Sequence, residues 1–299
     1  MDNPRGAVLE PVDRSLAPNR YASPVTSLPV FYINLDARTD RRSFMEPQFA
    51  ALGVAAERIS AVRSDEVPQD LLDIHANPAH PWPIAAGEIA CGLSHQKCWL
   101  ALIECGAPAA IVLEDDVMLA PGFVEFVDSS VLDGLDADVI KLETFRSPIW
   151  MIGEARRRGT HFTLERLISV HLGTAAYLIS RHCAEISLAD PRLREVAIDR
   201  FLFGPGGPRL FGSTVLQAIP SPCIQVTRIA GFEDKSIWMS DLVAARRARP
   251  GRGKRRWQRR VLRALSDVGY RAELFLRLAL HPRTFRRGRR RIGFAGDSS

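Results

Sequence analysis

Glu114, Asp115 and Asp116 follow directly on the apolar run Ala109-Ala110-Ile111-Val112-Leu113. Three adjacent carboxylates repel one another, and a divalent cation with a preference for hard oxygen ligands, Mg²⁺ or Mn²⁺, is the simplest compensation. The same triplet also fits a solvated loop or the first turn of a helix. Asn34-Leu35-Asp36-Ala37-Arg38-Thr39-Asp40-Arg41-Arg42 is a second candidate: a polar strand end, basic side chains and a helix N-terminus together suit an anionic or nucleotide ligand. Arg41 and Arg42 could equally be solvated helix residues. Neither GxGxxG nor GxxxxGK[ST] occurs, so no Rossmann or P-loop fingerprint supports the nucleotide.

Glu88, Cys91 and His95 share one face of a helix, a spacing open to a metal site or a Cys–His pair. Neither is favoured, because Cys91 has no second Cys at ligand spacing and a thiol on an apolar helix face is usually core. Ser94 and His95 fit better as a hydrogen-bonding pair near a substrate. Lys141 and Glu143 alternate with Val139, Ile140 and Leu142, which directs one of them toward a cleft. Asp199 emerges from Val196-Ala197-Ile198, where partial burial would lift its pKa toward that of a useful base; an ordinary helix N-cap is the alternative.

The elements that must hold these residues read as α/β. Val30–Leu35 has the composition of a central strand, a helix follows to Leu52 with Gly53 as its stop, and residues 58–62 form a second strand. This βαβ opening favours a parallel sheet. A helix spans Ile84–Cys105, with Ile89, Leu93, Leu100 and Ile103 facing the sheet, and Gly106 with Pro108 feeds the acid-tipped strand. On that strand Glu114 and Asp116 would point one way and Asp115 the other. Pro121 starts another helix, ending near Ser130. Residues 138–143 and 174–179 are further strands, the latter followed by a helix that Ser180 caps, and Arg156–Gly159 is a turn between short strands. Gly204–Pro208 suggests a mobile loop, and Ser213–Ile219 with Cys223–Val226 a closing strand pair.

The 299 residues can bury a sizeable core, and the 46% hydrophobic and 25% charged fractions are those of a soluble globular protein. No apolar run approaches a spanning helix, and the N-terminus lacks a signal-peptide pattern. Five cysteines without CxxC spacing read as reduced thiols in the cytoplasm. The net charge of +6 hides an asymmetry: Arg246 to Arg291 holds 18 Arg or Lys and two acids, so that stretch carries +16 and the remainder −10. Three parts are expected: a disordered leader (1–27), a catalytic domain (28–240) and a basic helical tail (241–299).

In order along the chain, FYINLDARTDRR (31–42), GEIACGLSHQKCW (87–99), AIVLEDDV (110–117), DVIKLE (138–143), GTAAYLIS (173–180), AIDRFLF (197–203) and PCIQ (222–225) resemble the segments of glycosyltransferase family 25, the bacterial lipooligosaccharide glycosyltransferases. The resemblance implies a GT-A-like, Rossmann-type mixed sheet flanked by helices. It also implies an inverting, metal-dependent hexosyltransferase that uses a UDP-sugar, usually UDP-galactose or UDP-glucose, with Mn²⁺ (or Mg²⁺). Carried over, Asp116 and Glu114 would hold the metal, with Glu114 or Asp115 on the ribose side. Asn34, Arg38, Arg41, Ser94 and His95 would serve the donor, and Asp199 would be the catalytic base with Glu143 in reserve. Arg200 and Phe201 depart from the commoner residues after that aspartate. The acceptor class is a lipooligosaccharide, LPS or other cell-surface glycan.

In the tail, Trp257, Val261, Leu265, Val268, Ala272, Phe275 and Ala279 fall at helical spacing, with Arg259, Arg260, Arg263 and Arg277 among the polar positions. A basic amphipathic helix of this kind suits an anionic membrane surface, here the inner face of the cytoplasmic membrane. The alternatives are an ordinary helix packed on the body, and a nucleic-acid- or membrane-binding protein on a catalytically inactive transferase fold. Against nucleic acid, the tail has few aromatics for stacking and the body no reader motif.

Overall fold

The computed structural model describes residues 27–77, 80–229 and 256–298. The expected leader, up to residue 26, and the first part of the basic run, up to residue 255, lie outside these.

Strand β1 (Val30–Asn34) is buried along its whole length. Helix α1 (Thr39–Leu52) follows and ends at Gly53, whose φ of 64° is the left-handed conformation that glycine adopts without a Cβ penalty. Strand β2 (Ala56–Ser60) returns parallel to β1, and β3 (Ala109–Glu114) pairs parallel with β1 on its other side. The parallel sheet that this opening predicts stops there. The remaining strands are β4 (Val117–Leu119), β5 (Val139–Lys141), β6 (Met151–Arg158), β7 (Phe162–Leu167), β8 (Ala176–Ser180), β9 (Val215–Ile219) and β10 (Cys223–Gln225). The main sheet is mixed, in the order β2-β1-β3-β8-β5-β9-β7-β6, and β8 runs antiparallel to both β3 and β5.

Helices cover both faces of this sheet, the architecture expected of a GT-A-like, Rossmann-type fold. Alternation along β3 divides the core: Ala109, Ile111 and Leu113 join Met45 and Phe49 of α1 with Phe123 and Phe126, whereas Ala110 and Val112 join α3 (Ala86–Cys105), α4 (Arg181–Leu188) and α5 (Ile198–Phe203). Helix α2 (Gln69–Ala76) packs on the outer side of α3. Beyond α6 (Pro208–Gly212), α7 (Arg256–Ala279) and α8 (Pro282–Arg287) lead to a terminal segment that bridges Ile149 through Arg290 and Ser221 through Phe294. Ile292 and Phe294 are buried there.

Five expectations change. Arg156–Arg158 belong to strand β6, and the turn into β7 falls at Gly159-Thr160. Cys223–Gln225 does not pair with Ser213–Ile219: Pro220 and Pro222 redirect the chain, and β10 joins β4 in a separate two-stranded sheet. The expected helix after Pro121 is two short 3-10 turns, Pro121–Phe126 and Ser129–Leu132. Helix α3 turns Cys98, Trp99 and Leu102 to the sheet, not Leu100 and Ile103, because the large Trp99 takes the interior position and leaves Leu100 exposed. Strand β3 ends at Glu114, and Asp115-Asp116 form the turn into β4. Ser180 does cap α4, its hydroxyl accepting from the Cys183 N–H at 3.1 Å. All five cysteines are free.

Replacing Ser180 by Ala leaves that buried N–H without its acceptor. We expect a loss of about 1 kcal/mol in urea unfolding, with an unchanged denaturant slope.

Candidate active site

Turning after Glu114 sends the three carboxylates to three different sets of partners at the C-terminal edge of β1 and β3. Asp115 goes toward β1 and α1. One of its oxygens accepts from Asn34 Nδ2 at 2.8 Å and the other from Arg41 Nη1 at 2.7 Å, and all three side chains are buried. Burial lifts the Asp115 carboxyl above its ordinary value, and Arg41 with the Asn34 amide offsets only part of that. Arg41 is therefore a buried counter-charge and not a solvated helix residue. Arg38 lies on the outer side of α1's first turn, where it forms a fork with Asp40 at 2.7 and 2.9 Å.

Glu114 turns the other way, toward α3. Its Oε1 accepts from Thr174 Oγ1 at 2.9 Å and stands 3.5 Å from Nε2 of His95. Burial opposes its charge, but the contacts with His95 and Thr174 and the charge of Arg41 outweigh that and hold its pKa below the usual value. His95 is fully buried, and its Nδ1 lies 2.9 Å from the Tyr177 hydroxyl, which also accepts from Trp99 Nε1 at 3.0 Å. Cys91, one turn before His95, completes a group in which the ligand atoms of Cys91, His95 and Glu114 all lie within 4.8 Å of one another. These three could hold a metal ion. The reading that disfavoured Cys91 rested on helix spacing alone, and the carboxylate arriving from β3 changes that balance.

Asp116 sits beneath β10. Its carboxylate oxygens meet the Gln225 amide at 3.3 and 3.4 Å, long contacts for a buried charge. Burial, then the charges of Glu114 and Asp115, push its pKa up to about 8. An acid held so far above its ordinary range has lost water without gaining a strong partner, and its oxygens suit a hard cation.

Behind the triplet, residues 173–175 tie Glu114 to a second buried charge pair. Lys141 Nζ donates to Glu143 Oε1 at 2.9 Å and to the Gly173 carbonyl at 2.6 Å. Thr174 reaches Glu114, and the Ala175 N–H donates to Glu143 at 2.9 Å. Gly173 adopts a φ of 95°, and a Cβ there would fall 2.2 Å from the Phe145 ring. Lys141 and Glu143 are both fully buried; burial lowers the lysine's pKa and raises the glutamate's. Lys141 Nζ also lies 4.2 Å from the centre of the Phe203 ring. Phe203 is the fourth residue after Asp199, so both share one face of α5, and Asp199 acts electrostatically on Lys141. Asp199 itself is half-buried in the first turn of that helix.

Ser94 has a different task. Its hydroxyl donates to the Ala90 carbonyl and accepts the Val62 N–H, both at 2.8 Å, and so braces α3 against the chain leaving β2. Thr174, Tyr177 and Gln225 were missed as site residues. The segments GTAAYLIS and PCIQ contain them, but nothing in their residue types marks them as partners of Glu114, His95 and Asp116.

An α/β sheet with carboxylates gathered beyond its strand ends defines a sugar-transferring class of protein only together with sequence kinship. The family model described as glycosyltransferase family 25 (LPS biosynthesis protein) matches residues 27–201. The chain belongs to glycosyltransferase family 25. It is 30% identical over 258 residues to the lacto-N-neotetraose biosynthesis glycosyltransferase LgtB of Neisseria gonorrhoeae, covering 79% of this chain and 90% of that protein. It is 28% identical over 248 residues to LgtE of the same organism, covering 79% and 86%. A glycosyltransferase 25 family member of Aedes aegypti is 36% identical over 112 residues, 35% of this chain and 18% of that protein. A solved glycosyltransferase involved in glycosylation of the major capsid of PBCV-1 superposes with a TM-score of 0.40 at 10% identity, covering 71% of this chain and 100% of that one.

The raised Asp116 pKa has a signed consequence for stability. The folded state holds this proton more tightly than the unfolded state, whose carboxyl titrates near 4. The stabilisation is complete below pH ~4 and is lost as pH rises through about 8. In metal-free protein, Asp116→Asn should therefore flatten the decline in urea-unfolding free energy between pH 5 and 8.5, and should be the more stable of the two at pH 8.5. Saturating Mn²⁺ should produce a similar flattening in the wild type.

Proposed function

We propose that this protein is an inverting hexosyltransferase that moves galactose or glucose from a UDP-sugar to a glycan acceptor. The observation that carries the reading is the division of the acidic triplet: Asp115 is neutralised by Arg41 and Asn34, whereas Asp116 keeps a carboxylate without comparable compensation. A divalent ion, Mn²⁺ or Mg²⁺, would be held by Asp116 and Glu114; when bound it supplies positive charge against the leaving diphosphate. Cys91 and His95 adjoin Glu114 and could extend the ligand set, although a thiol suits a softer ion better than Mn²⁺.

The chain's own residues then divide the work. Asn34, at the end of β1, and Arg41 form the wall on which the nucleotide rests, with Asp115 fixed between them and Arg38 at its outer edge. His95 and Ser94 maintain the α3 side of the donor site. Asp199, on the first turn of α5, takes the proton of the acceptor hydroxyl as that oxygen attacks the anomeric carbon from the face opposite the diphosphate. Glu143 is engaged by Lys141 and the Ala175 amide, which fits it for holding this charge balance more than for accepting a proton. The acceptor class is a cell-surface glycan such as lipooligosaccharide, met at the inner face of the cytoplasmic membrane with the basic stretch 246–291 directed to anionic lipid. Among the described residues no helix is long and apolar enough to cross a membrane.

A panel of nucleotide sugars, each assayed for UDP release with and without Mn²⁺, tests the reading. A UDP-hexose should be turned over only with metal, and Asp116→Ala should lose activity by about 10²-fold or more. Full activity in that variant would remove the metal role. Asp199→Asn should lower kcat by about 10²–10⁴-fold with donor affinity retained; loss of UDP binding would instead assign Asp199 to the donor.

A further inference from the structure

Helix α7 has two opposed apolar surfaces, and among the described residues only one of them meets the rest of the protein. The inner face is docked on the body. Tyr270 stacks on Phe211 at 5.7 Å between ring centres, its hydroxyl accepts the Val170 N–H at 3.2 Å, and Leu278 is buried against Ile152 and Ile168. Arg277 donates to the Phe211 carbonyl, and Arg263 donates to the Pro81 carbonyl at 2.9 Å.

The outer face carries the apolar stripe recognised in the sequence. Val261, Leu265, Val268, Ala272, Phe275 and Ala279 recur at helical spacing on the side opposite Tyr270 and Leu274. Leu265 and Val268 are each 63% exposed, Phe275 70% and, just past the helix, Leu280 71%. The side chains of Trp257, Arg259 and Arg260 lie outside the described ones. Scattered exposed leucines are ordinary, but a continuous row along a long helix is not. Exposed cations accompany the row in the chain: Arg271 on α7, and Arg283, Arg286 and Arg289 just after it. Their sign, together with the apolar row, selects the occupant, because a partner that takes up apolar side chains and also offers dispersed negative charge is an anionic lipid surface.

We propose that the outer face of α7 is an interfacial membrane-docking surface that lies flat on an anionic bilayer, with the stripe in the acyl boundary and the arginines at the headgroups. The inner face adds an orientation. Arg263 holds the loop at Pro81-Trp82, Trp82 stacks on Arg200 at 4.3 Å, and Ser266 packs on Gly206. Arg200 is the neighbour of Asp199, so docking brings the α5 side of the site, where an acceptor would be deprotonated, nearest to the lipid. This deepens the transferase reading by naming a partner surface and rests on that reading for its purpose; lipid binding and UDP release are separate measurements, and either can fail alone.

The test is flotation of the full chain with vesicles of phosphatidylglycerol and phosphatidylcholine, compared with pure phosphatidylcholine. Wild type should float with the anionic vesicles and stay behind with the neutral ones, and raised salt should weaken the binding. The combined variant Leu265→Ser, Val268→Ser and Phe275→Ser should bind the anionic vesicles at least about tenfold more weakly. Its melting temperature and its UDP release onto a soluble acceptor should not change, which separates loss of docking from loss of fold. Arg283→Glu with Arg286→Glu should weaken binding while leaving the stripe intact. Undiminished flotation of the triple variant would overturn the proposal, as would a wild type that ignores anionic vesicles. A wild-type dimer that the triple variant converts to monomer would give the face to a second copy. Tighter binding to duplex DNA than to the vesicles would give the arginines to nucleic acid.

Discussion

Negative charge concentrated at the end of β3 is the constraint to which the surrounding structure responds. Moving a carboxylate out of water costs several kcal/mol even after relaxation, and three in succession add mutual repulsion. The chain relieves this by ending the strand at Glu114, so that the turn separates the carboxylates that a continued strand would have stacked. Glu114 gains His95 and Thr174, and Asp115 gains Arg41 and Asn34. Asp116 is left with the long contacts to Gln225, and its pKa of about 8 expresses that imbalance. A cation beside Asp116, as the proposed function has it, would relieve that imbalance.

Several elements exist in their observed positions because this charge must be framed. The 173–175 segment reaches both Glu114 and Glu143 with successive residues, and the positive φ of Gly173 lets its carbonyl meet Lys141 while its α-carbon clears Phe145. Lys141 then joins β5 to α5 through Phe203. Removing one member of such a buried pair costs about 3–5 kcal/mol, so the frame is stiff as long as it is complete. The buried His171 belongs to the same frame: burial, then the charge of Lys141, pushes its pKa down to about 3, so it stays neutral beside the lysine and bonds Gln217.

Kinship with family 25 supplies the class of chemistry, and the site supplies reasons of its own for particular residues. Asn34, Arg41, His95 and the triplet converge at one sheet edge, in keeping with the rule that α/β sheets bind ligands beyond the carboxyl ends of their strands. Asp199 stands on α5, which packs on the same face of the sheet as α3, and the basic helix α7 reaches the segment just after α5, where Ser266 meets Gly206.

Much of this was legible in the residues alone. Apolar runs and glycine stops located β1, α1, α3, β3 and β8, Ser180 announced its cap, and the ordered segments announced the family, because helix and strand periodicity, capping and motif order are local properties of a chain. The face of α3 that meets the sheet was not local: Trp99 and Leu100 are both large and apolar, and only the space beneath the helix decides between them. Nor were the partners of the three acids. Glu114 meets Thr174 across 60 positions, Asp115 meets Asn34 across 81 and Asp116 meets Gln225 across 109. The sequence by itself determined that three acids would arrive together at a strand end and that an apolar stripe would run along a basic helix. The tertiary structure alone decided which acid is paired with an arginine, which is left with only long contacts, and that the stripe faces outward, because each outcome depends on groups that approach only when distant segments pack.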